Sequence, residues 1–324
     1  MKIGIIGAGA IAAKMAATLS GMKGEAEGYA IASRSLESAQ SFAKEWNFCR
    51  AYGSYEEMLA DPGVDLVYIA TPHSHHYEHA MMCLRAGRPV LCEKAFTANA
   101  RQAEEVLRYA QEHRIFITEA IWTRYMPLSH TISELLANGV VGRPSMLTAN
   151  LGYPLEHKER IMNPALAGGA LLDLGVYALN FALMAFGTDV ERVVSVCTKT
   201  KTGVDAQESI TLTYPDGRMA VLNSTMMART DRQGIISGDK GHLIVENINN
   251  PQRVTVVDND YRVKAVYDCP PQITGYEYEV YACKDALQHG WLEAPSMPHE
   301  ETLRVMRMMD ALRAEWGIRY PFED

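Results

Sequence analysis

The sequence is short of the features that mark nucleic-acid-binding, membrane and disulfide-built proteins. Basic residues number 31 against 39 acidic ones, leaving a formal net charge of −8 and a pI of about 5.7. A nucleic-acid or anionic-membrane partner needs a basic face, so neither is expected. The longest apolar region, Ala165 to Phe186, is interrupted by Asp173, Asn180 and several glycines. It reads as a core helix rather than a membrane span. Cys49, Cys83, Cys92, Cys197, Cys269 and Cys283 include no Cys-x-x-Cys pair, so they are expected as reduced thiols in a cytoplasmic protein. The apolar start is broken by Gly4, Gly7, Gly9 and Lys14, unlike the continuous core of a signal peptide. Neither an internal repeat nor a low-complexity linker is visible.

What is present is an ordinary globular composition, 48% hydrophobic and 22% charged over 324 residues. That length suggests two domains. The chain opens on Ile3, Ile5 and Ile6 as a buried strand, turns at Gly7 to Ala10, and enters a helix from Ile11 to Leu19. This order is a dinucleotide fingerprint. Gly7 permits the sharp turn, Gly9 lets backbone approach a pyrophosphate, Ala12 allows close helix packing, and the N–H groups from Ala10 and Ile11 onward face the anion.

Strand and helix then alternate: strands at 28–32, 50–52, 66–70, 90–92 and 115–118, helices at 35–46, 55–60, 74–86 and 99–113. Short connections between them predict parallel strands with right-handed crossovers, a Rossmann doubly wound sheet complete by about Ala120. Beyond it, helices at 128–136 and 171–186 precede strands at 193–200, 209–214, 219–226, 242–246 and 254–257, and helices near 276–289 and 300–316 close the chain. Successive strands predict an α+β domain on a mostly antiparallel or mixed open sheet. The expected division is 1–121, dinucleotide-binding, and 122–324, substrate-binding and oligomerising. One face of the second sheet is expected to be covered by helices and the other left free for a homodimer.

Where NAD-binding versions of the fold carry an acid at the end of the second strand, this chain has Ser33-Arg34. A guanidinium grips a 2′-phosphate that a carboxylate would repel, which favours NADP over NAD. Strand ends also bring Thr71-Pro72-His73, with His76 following, and Glu93-Lys94 to the cofactor crevice. The histidine-rich stretch lacks a fixed third ligand, so no metal is expected. Asp173 and Tyr177, four residues apart, share a helix face.

The fingerprint, Ala70-Thr71-Pro72 with His76, and above all Gly87-Arg88-Pro89-Val90-Leu91-Cys92-Glu93-Lys94 resemble the glucose-fructose oxidoreductase and inositol dehydrogenase (Gfo/Idh/MocA) family. Glu119 to Pro127 and Gly168 to Tyr177 are similar to its dihydrodiol dehydrogenase and NADP-dependent xylose dehydrogenase branch. The chain departs from the family pattern at Ala95, usually Pro, and at His73, usually Asn. The resemblance implies a hydride transfer between nicotinamide and a CH–OH group of a sugar, polyol or cyclic trans-diol, with Tyr177 where many members place His.

Such a transfer also moves one proton at the hydroxyl oxygen. A tyrosine with pKa about 10 is a weak base at neutral pH. An ammonium about 4 Å away, at an effective dielectric near 20, favours phenolate by roughly 4 kcal/mol, or about three pK units; desolvation takes some of this back. The expected roles are Tyr177 for proton transfer, Lys94 to lower its pKa and polarise the oxygen, and Asp173 to orient them. In the alternative, Lys94 is itself the acid/base. Trp122 is expected against the substrate and Arg124 against cofactor or substrate. Rival readings are a non-catalytic NAD(P)- and sugar-binding regulatory protein and a redox-neutral enzyme with tightly bound NAD(P).

Overall fold

The structure is a computed structural model that describes residues 1–323. The chain forms two compact units, one from Met1–Ile121 with Gln272–Arg307, the other from Trp122–Pro271 with the residues from 308 on.

In the first unit β1 (Lys2–Ile6), α1 (Ala10–Gly21), β2 (Glu27–Ala32), α2 (Leu36–Trp46), β3 (Arg50–Tyr52), α3 (Tyr55–Leu59), β4 (Leu66–Ile69), α4 (His73–Arg85), β5 (Val90–Glu93), α5 (Ala100–Glu112) and β6 (Ile117–Ala120) follow in order. The strands are all parallel, in the spatial order β3-β2-β1-β4-β5-β6. This is the doubly wound order whose ligands lie beyond the carboxyl ends of the strands. Ile3, Ile5 and Ile6 are at most 1% exposed, and burying each such side chain contributes about 1.5–3 kcal/mol. Ser35, Ser54 and Asn99 accept from backbone N–H groups in the first turns of α2, α3 and α5, fixing where those helices start.

The second unit contains α6 (Pro127–Ala137), β7 (Pro144–Gly152), α7 (Glu159–Met162), α8 (Val176–Phe186), β8 (Arg192–Lys199), β9 (Asp205–Thr213), β10 (Met219–Thr225), β11 (Gly234–Gly238), β12 (Gly241–Glu246), β13 (Arg253–Asp258) and β14 (Val263–Asp268). Its eight strands run β14-β13-β12-β11-β7-β10-β9-β8. The β7–β10 pair is parallel and its neighbours are antiparallel, so the sheet is mixed. Helices α6 and α8 pack on one side of it. Apolar side chains remain exposed on the end strands, Val194 and Val196 on β8 and Val263 and Val266 on β14. The stretch Pro164–Phe186 is long and apolar enough to cross a membrane, and 89% of its most apolar window is buried. It is a core element of this unit.

Two helices close the chain, α9 (Glu277–His289) and α10 (His299–Glu315). Here the grouping differs from the expected division at 121/122: Gln272–Arg307 packs with the first unit. Long-range contacts explain it. The Thr18 and Thr274 hydroxyls are 2.6 Å apart, Lys284 pairs with Glu25 at 2.5 Å, and His299 Nε2 meets the Ile117 carbonyl at 2.8 Å. Two further differences are local. Arg114 has φ +56°, and β6 starts two residues later than the 115–118 expected. β7, β11 and β14 were not expected as strands.

Candidate active site

The first unit supplies a dinucleotide cradle. Gly7 has φ +97°, and a Cβ there would stand 2.9 Å from the Ala70 carbonyl oxygen, so this turn requires glycine. Its N–H donates to the Ala32 carbonyl at 2.9 Å. Gly9 caps α1 without a side-chain acceptor, no acid stands in the helix's first turn, and nothing lies within 4 Å of where its Cβ would be. The N–H groups at the start of α1, those of Ala10 and Ile11 among them, thus meet neither a capping side chain nor an acid of the first turn, which suits a pyrophosphate. Ala12 is fully buried against the sheet. At the end of β2, the Ser33 N–H donates to the Tyr52 carbonyl at 3.1 Å, Ser33 is half-buried and Arg34 is exposed. With no acid at that strand end, the residues fit NADP.

β4 runs into Thr71 and Pro72, and Pro72 caps α4. His73 is buried at the first position of that helix. His76 corrects an expectation: it is wholly buried, with Nδ1 2.8 Å from the Ala95 carbonyl and Nε2 2.7 Å from the Thr71 carbonyl. Burial pushes its pKa down to about 4, so the ring is neutral. It has no surface to offer a cofactor; as a neutral ring it donates its one N–H to one of these two carbonyls.

That turn carries Lys94. From Val90 to Ala100 every residue is buried except Lys94, which is half-buried. The peptide between Lys94 and Ala95, where the family usually has proline, is cis. Glu93 is 5% exposed; its Oε1 accepts from the Tyr68 hydroxyl and its Oε2 from the Lys94 N–H at 3.1 Å. Glu93 thus fixes the turn from inside. Behind it lies Glu279 of α9, fully buried, with neither carboxyl oxygen hydrogen-bonded. Burial first, and then the Glu93 charge, push the Glu279 pKa well above the ordinary range. A carboxylate there would be a buried charge with no cation, so Glu279 holds its proton.

The second unit holds the acid–tyrosine pair. The helix expected from 171 starts instead as a π-helical turn, Leu171–Gly175, before α8. Such turns add a residue to the helical circuit and are frequent at functional sites. The cause is visible on β9. Asp205, buried, accepts from the Leu171 N–H at 2.5 Å. Gly169 has φ +120°, and a Cβ there would meet Asp205 Oδ1 at 2.3 Å. A Cβ on Gly175 would meet Glu208 Oε1 at 2.7 Å. The Tyr320 hydroxyl donates to the Gly168 carbonyl at 2.8 Å. Both β9 acids are buried, which raises Asp205 to about 6 and Glu208 well above its usual value.

On this pinned turn Asp173 is 5% and Tyr177, one turn on in α8, 7% exposed. Arg160 of α7 pairs with Asp173 at 3.0 Å. Trp122 and Arg124 lie in a buried 3-10 turn, Trp122–Tyr125. Arg124, expected against cofactor or substrate, is 8% exposed and donates from Nε to Asn180 Oδ1 at 2.7 Å; it joins the turn to α8. Among the described residues no group of three or more His, Cys, Asp or Glu could hold a metal.

Sequence reasoning missed Arg160, Asp205, Glu208 and Glu279. The first three act across sequence separations that no local spacing reveals. Glu279 stands in an alternation of acidic and apolar residues that reads as an ordinary exposed helix.

A glycine turn, a basic end to the second strand and a lysine at the carboxyl end of β5 define a nicotinamide-dinucleotide oxidoreductase. Residues 1–120 match the oxidoreductase family with an NAD-binding Rossmann fold, and residues 129–244 match the GFO/IDH/MocA C-terminal domain. Mouse trans-1,2-dihydrobenzene-1,2-diol dehydrogenase is 32% identical, over 99% of this chain and 98% of its own. The D-xylose 1-dehydrogenase (NADP(+)) of Hypocrea jecorina is 35% identical, over 84% of this chain and 78% of its own. Among solved structures, the 3-ketoreductase KijD10 of Actinomadura kijaniata, with NADP and TDP-benzene, superposes with a TM-score of 0.87 at 25% identity over 97% of both chains. The chain belongs to the GFO/IDH/MocA oxidoreductase family.

Proposed function

We propose that this enzyme is an NADP-dependent dehydrogenase acting on a CH–OH group of a sugar, polyol or cyclic trans-diol. The observation that carries the reading is Lys94, kept half-open in an otherwise buried run beyond a cradle that fits NADP. The names of its relatives, a dihydrodiol dehydrogenase and a xylose dehydrogenase, support the substrate class.

Bound NADP supplies the acceptor or donor of the hydride. The chain handles the proton. Tyr177 takes it from, or returns it to, the substrate hydroxyl oxygen, and Lys94 favours the phenolate and polarises that oxygen. Asp173, oriented by Arg160 at 3.0 Å, positions the pair. Gly7, Gly9, Ala10 and Ile11 would hold the pyrophosphate, Ser33 and Arg34 the 2′-phosphate, and Thr71, Pro72 and His73 would border the cofactor. Glu93 acts beneath them, and Trp122 forms a wall for the substrate ring.

The apolar residues exposed on β8 and β14 support a homodimer through the open sheet face. Cys49, Cys83, Cys92, Cys197 and Cys283 are free thiols, which supports a cytoplasmic location. Neither nucleic acid nor membrane is a partner in this reading, given the net charge of −8.

Aldoses, inositols and cyclic trans-diols offered with NADP or NAD, while reduced nicotinamide is followed by absorbance, test the reading. Faster turnover with NADP supports it. Tightly bound nucleotide with no net reduction on any substrate contradicts it in favour of redox-neutral chemistry. Sedimentation as a monomer at micromolar concentration contradicts the dimer.

A further inference from the structure

The π-helical turn that carries Asp173 and leads to Tyr177 is held by a second set of residues besides those of β9. Its signature is the Val176 N–H donating to the Leu171 carbonyl, five residues back. The two glycines that enter this turn are tied on every polar group that the structure pairs. The Gly168 N–H donates to the Asn163 carbonyl at 3.1 Å and the Gly169 N–H to the Ile161 carbonyl at 2.9 Å. A Cβ on Gly168 would meet that Ile161 carbonyl oxygen at 2.3 Å. Arg160, one residue earlier, pairs with Asp173 at 3.0 Å. The Gly168 carbonyl in turn accepts the Tyr320 hydroxyl at 2.8 Å, in a buried contact.

Tyr320 is itself gripped. It is 1% exposed, and the Arg313 guanidinium of α10 lies over its ring at 4.4 Å. Arg313, also buried, donates from Nη1 and Nη2 to the two carboxyl oxygens of Glu323, each at 2.9 Å, and from Nη2 to Asp310 at 2.8 Å. Glu323 accepts as well from the Tyr320 N–H at 2.8 Å. A bidentate pair fixes orientation along with distance. Backbone, ring and hydroxyl of Tyr320 are therefore each held, and the hydroxyl meets the peptide that enters the turn. With that hydroxyl gone, the Gly168 carbonyl loses a donor in a buried place. A π-helical turn holds one residue more than an α-helical turn, so its relaxation rotates Asp173 about the helix axis relative to Tyr177.

We propose that Tyr320 is a positioning residue for the proton transfer: clamped by Arg313 and Glu323, it holds the Gly168 carbonyl so that the following turn stays π-helical and keeps Asp173 and Tyr177 in register. The proposal rests on Tyr177 as the proton-transfer group.

Tyr320→Phe keeps the ring that Arg313 covers and removes only the hydroxyl. With NADP and whichever aldose, inositol or trans-diol wild type oxidises fastest, it should lower kcat about tenfold with KM for NADP unchanged. Glu323→Gln, which loosens the clamp one step further out, should lower kcat less. The deciding readout is the cycle with Tyr177→Phe. If Tyr320 acts through Tyr177, the double variant is no slower than Tyr177→Phe alone, whereas a merely structural loss multiplies with it. Amide exchange of the full-length protein should be faster across residues 168–177 in Tyr320→Phe and unchanged across β1. Wild-type kcat or wild-type exchange in Tyr320→Phe, or losses that multiply in the double variant, overturns the proposal and leaves Tyr177 in its role. Near-wild-type turnover in Tyr177→Phe overturns the assignment of Tyr177, and the proposal with it.

Discussion

The two units hold their candidate reactive side chains by opposite means. In the first, backbone does the positioning. Gly7 holds a tight turn at φ +97°, nothing lies within 4 Å of a Cβ placed on Gly9, and Lys94 projects from the end of a buried parallel strand. In the second, buried acids do it: Asp205 and Glu208 of β9 lie under the π-helical turn, where Gly169 and Gly175 leave room for them. The first arrangement leaves the start of α1 without a side-chain cap, as a bound pyrophosphate requires. The second fills its space with polar groups and so fixes a rigid platform for Asp173 and Tyr177. A Cβ added at Gly9 meets no protein atom within 4 Å, while one added at Gly169 disturbs the fold.

The largest effect separates the chemistry from both scaffolds. Lys94→Met and Tyr177→Phe are each expected to cut NADP-linked turnover about 10²–10⁴-fold with melting temperature little changed; near-wild-type rates in both would break the assignment. Next is Arg34→Ala. Loss of charge-assisted bonds should weaken NADP binding about tenfold to a hundredfold and leave NAD binding alone, measured as Kd for each.

Two glycine substitutions test the comparison itself. Gly169→Ala forces a Cβ to 2.3 Å from Asp205 at φ +120°, and should cost about 2 kcal/mol or more in denaturant unfolding. Gly9→Ala meets nothing within 4 Å; its stability should stay within about 0.5 kcal/mol while its KM for cofactor rises. Equal destabilisation by both would erase the distinction.

The smallest effect concerns Glu279. Its carboxyl keeps a proton in the folded state that the unfolded chain releases above about pH 4.3. The stability it contributes is fully present below that ordinary value and is lost as pH rises toward the folded one. Glu279→Gln removes this titration. The melting temperature of the variant relative to wild type should therefore climb between about pH 5 and pH 8, and a constant difference would show that Glu279 is already ionised.

Much of the first unit is readable in the chain because a parallel strand buried on both faces is a continuous apolar run, as at Leu66–Ile69 and at residues 90–92. The strands missed in the second unit are of another kind. β14 is mostly exposed and β7 starts on exposed residues, so neither shows a clean apolar alternation, and β11 is a short strand bounded by Gly234 and Gly238. Their places are set by pairing with distant partners. The same holds within the candidate site. Gly7, Gly9, Lys94 and Tyr177 announce themselves through local motifs. The tasks of His76, Asp205 and Glu279 appear only when the Ala95 carbonyl, the Leu171 N–H and Glu93 are brought to them.

The central claim is that Lys94 tunes Tyr177, and the pH dependence of turnover in Lys94→Met tests it most directly. With the ammonium gone, the limb set by Tyr177 should move upward by about one to three pH units, toward the ordinary tyrosine value. Tyr177→Phe should lack that limb altogether. A limb that stays at its wild-type position in Lys94→Met, or survives in Tyr177→Phe, would contradict the account.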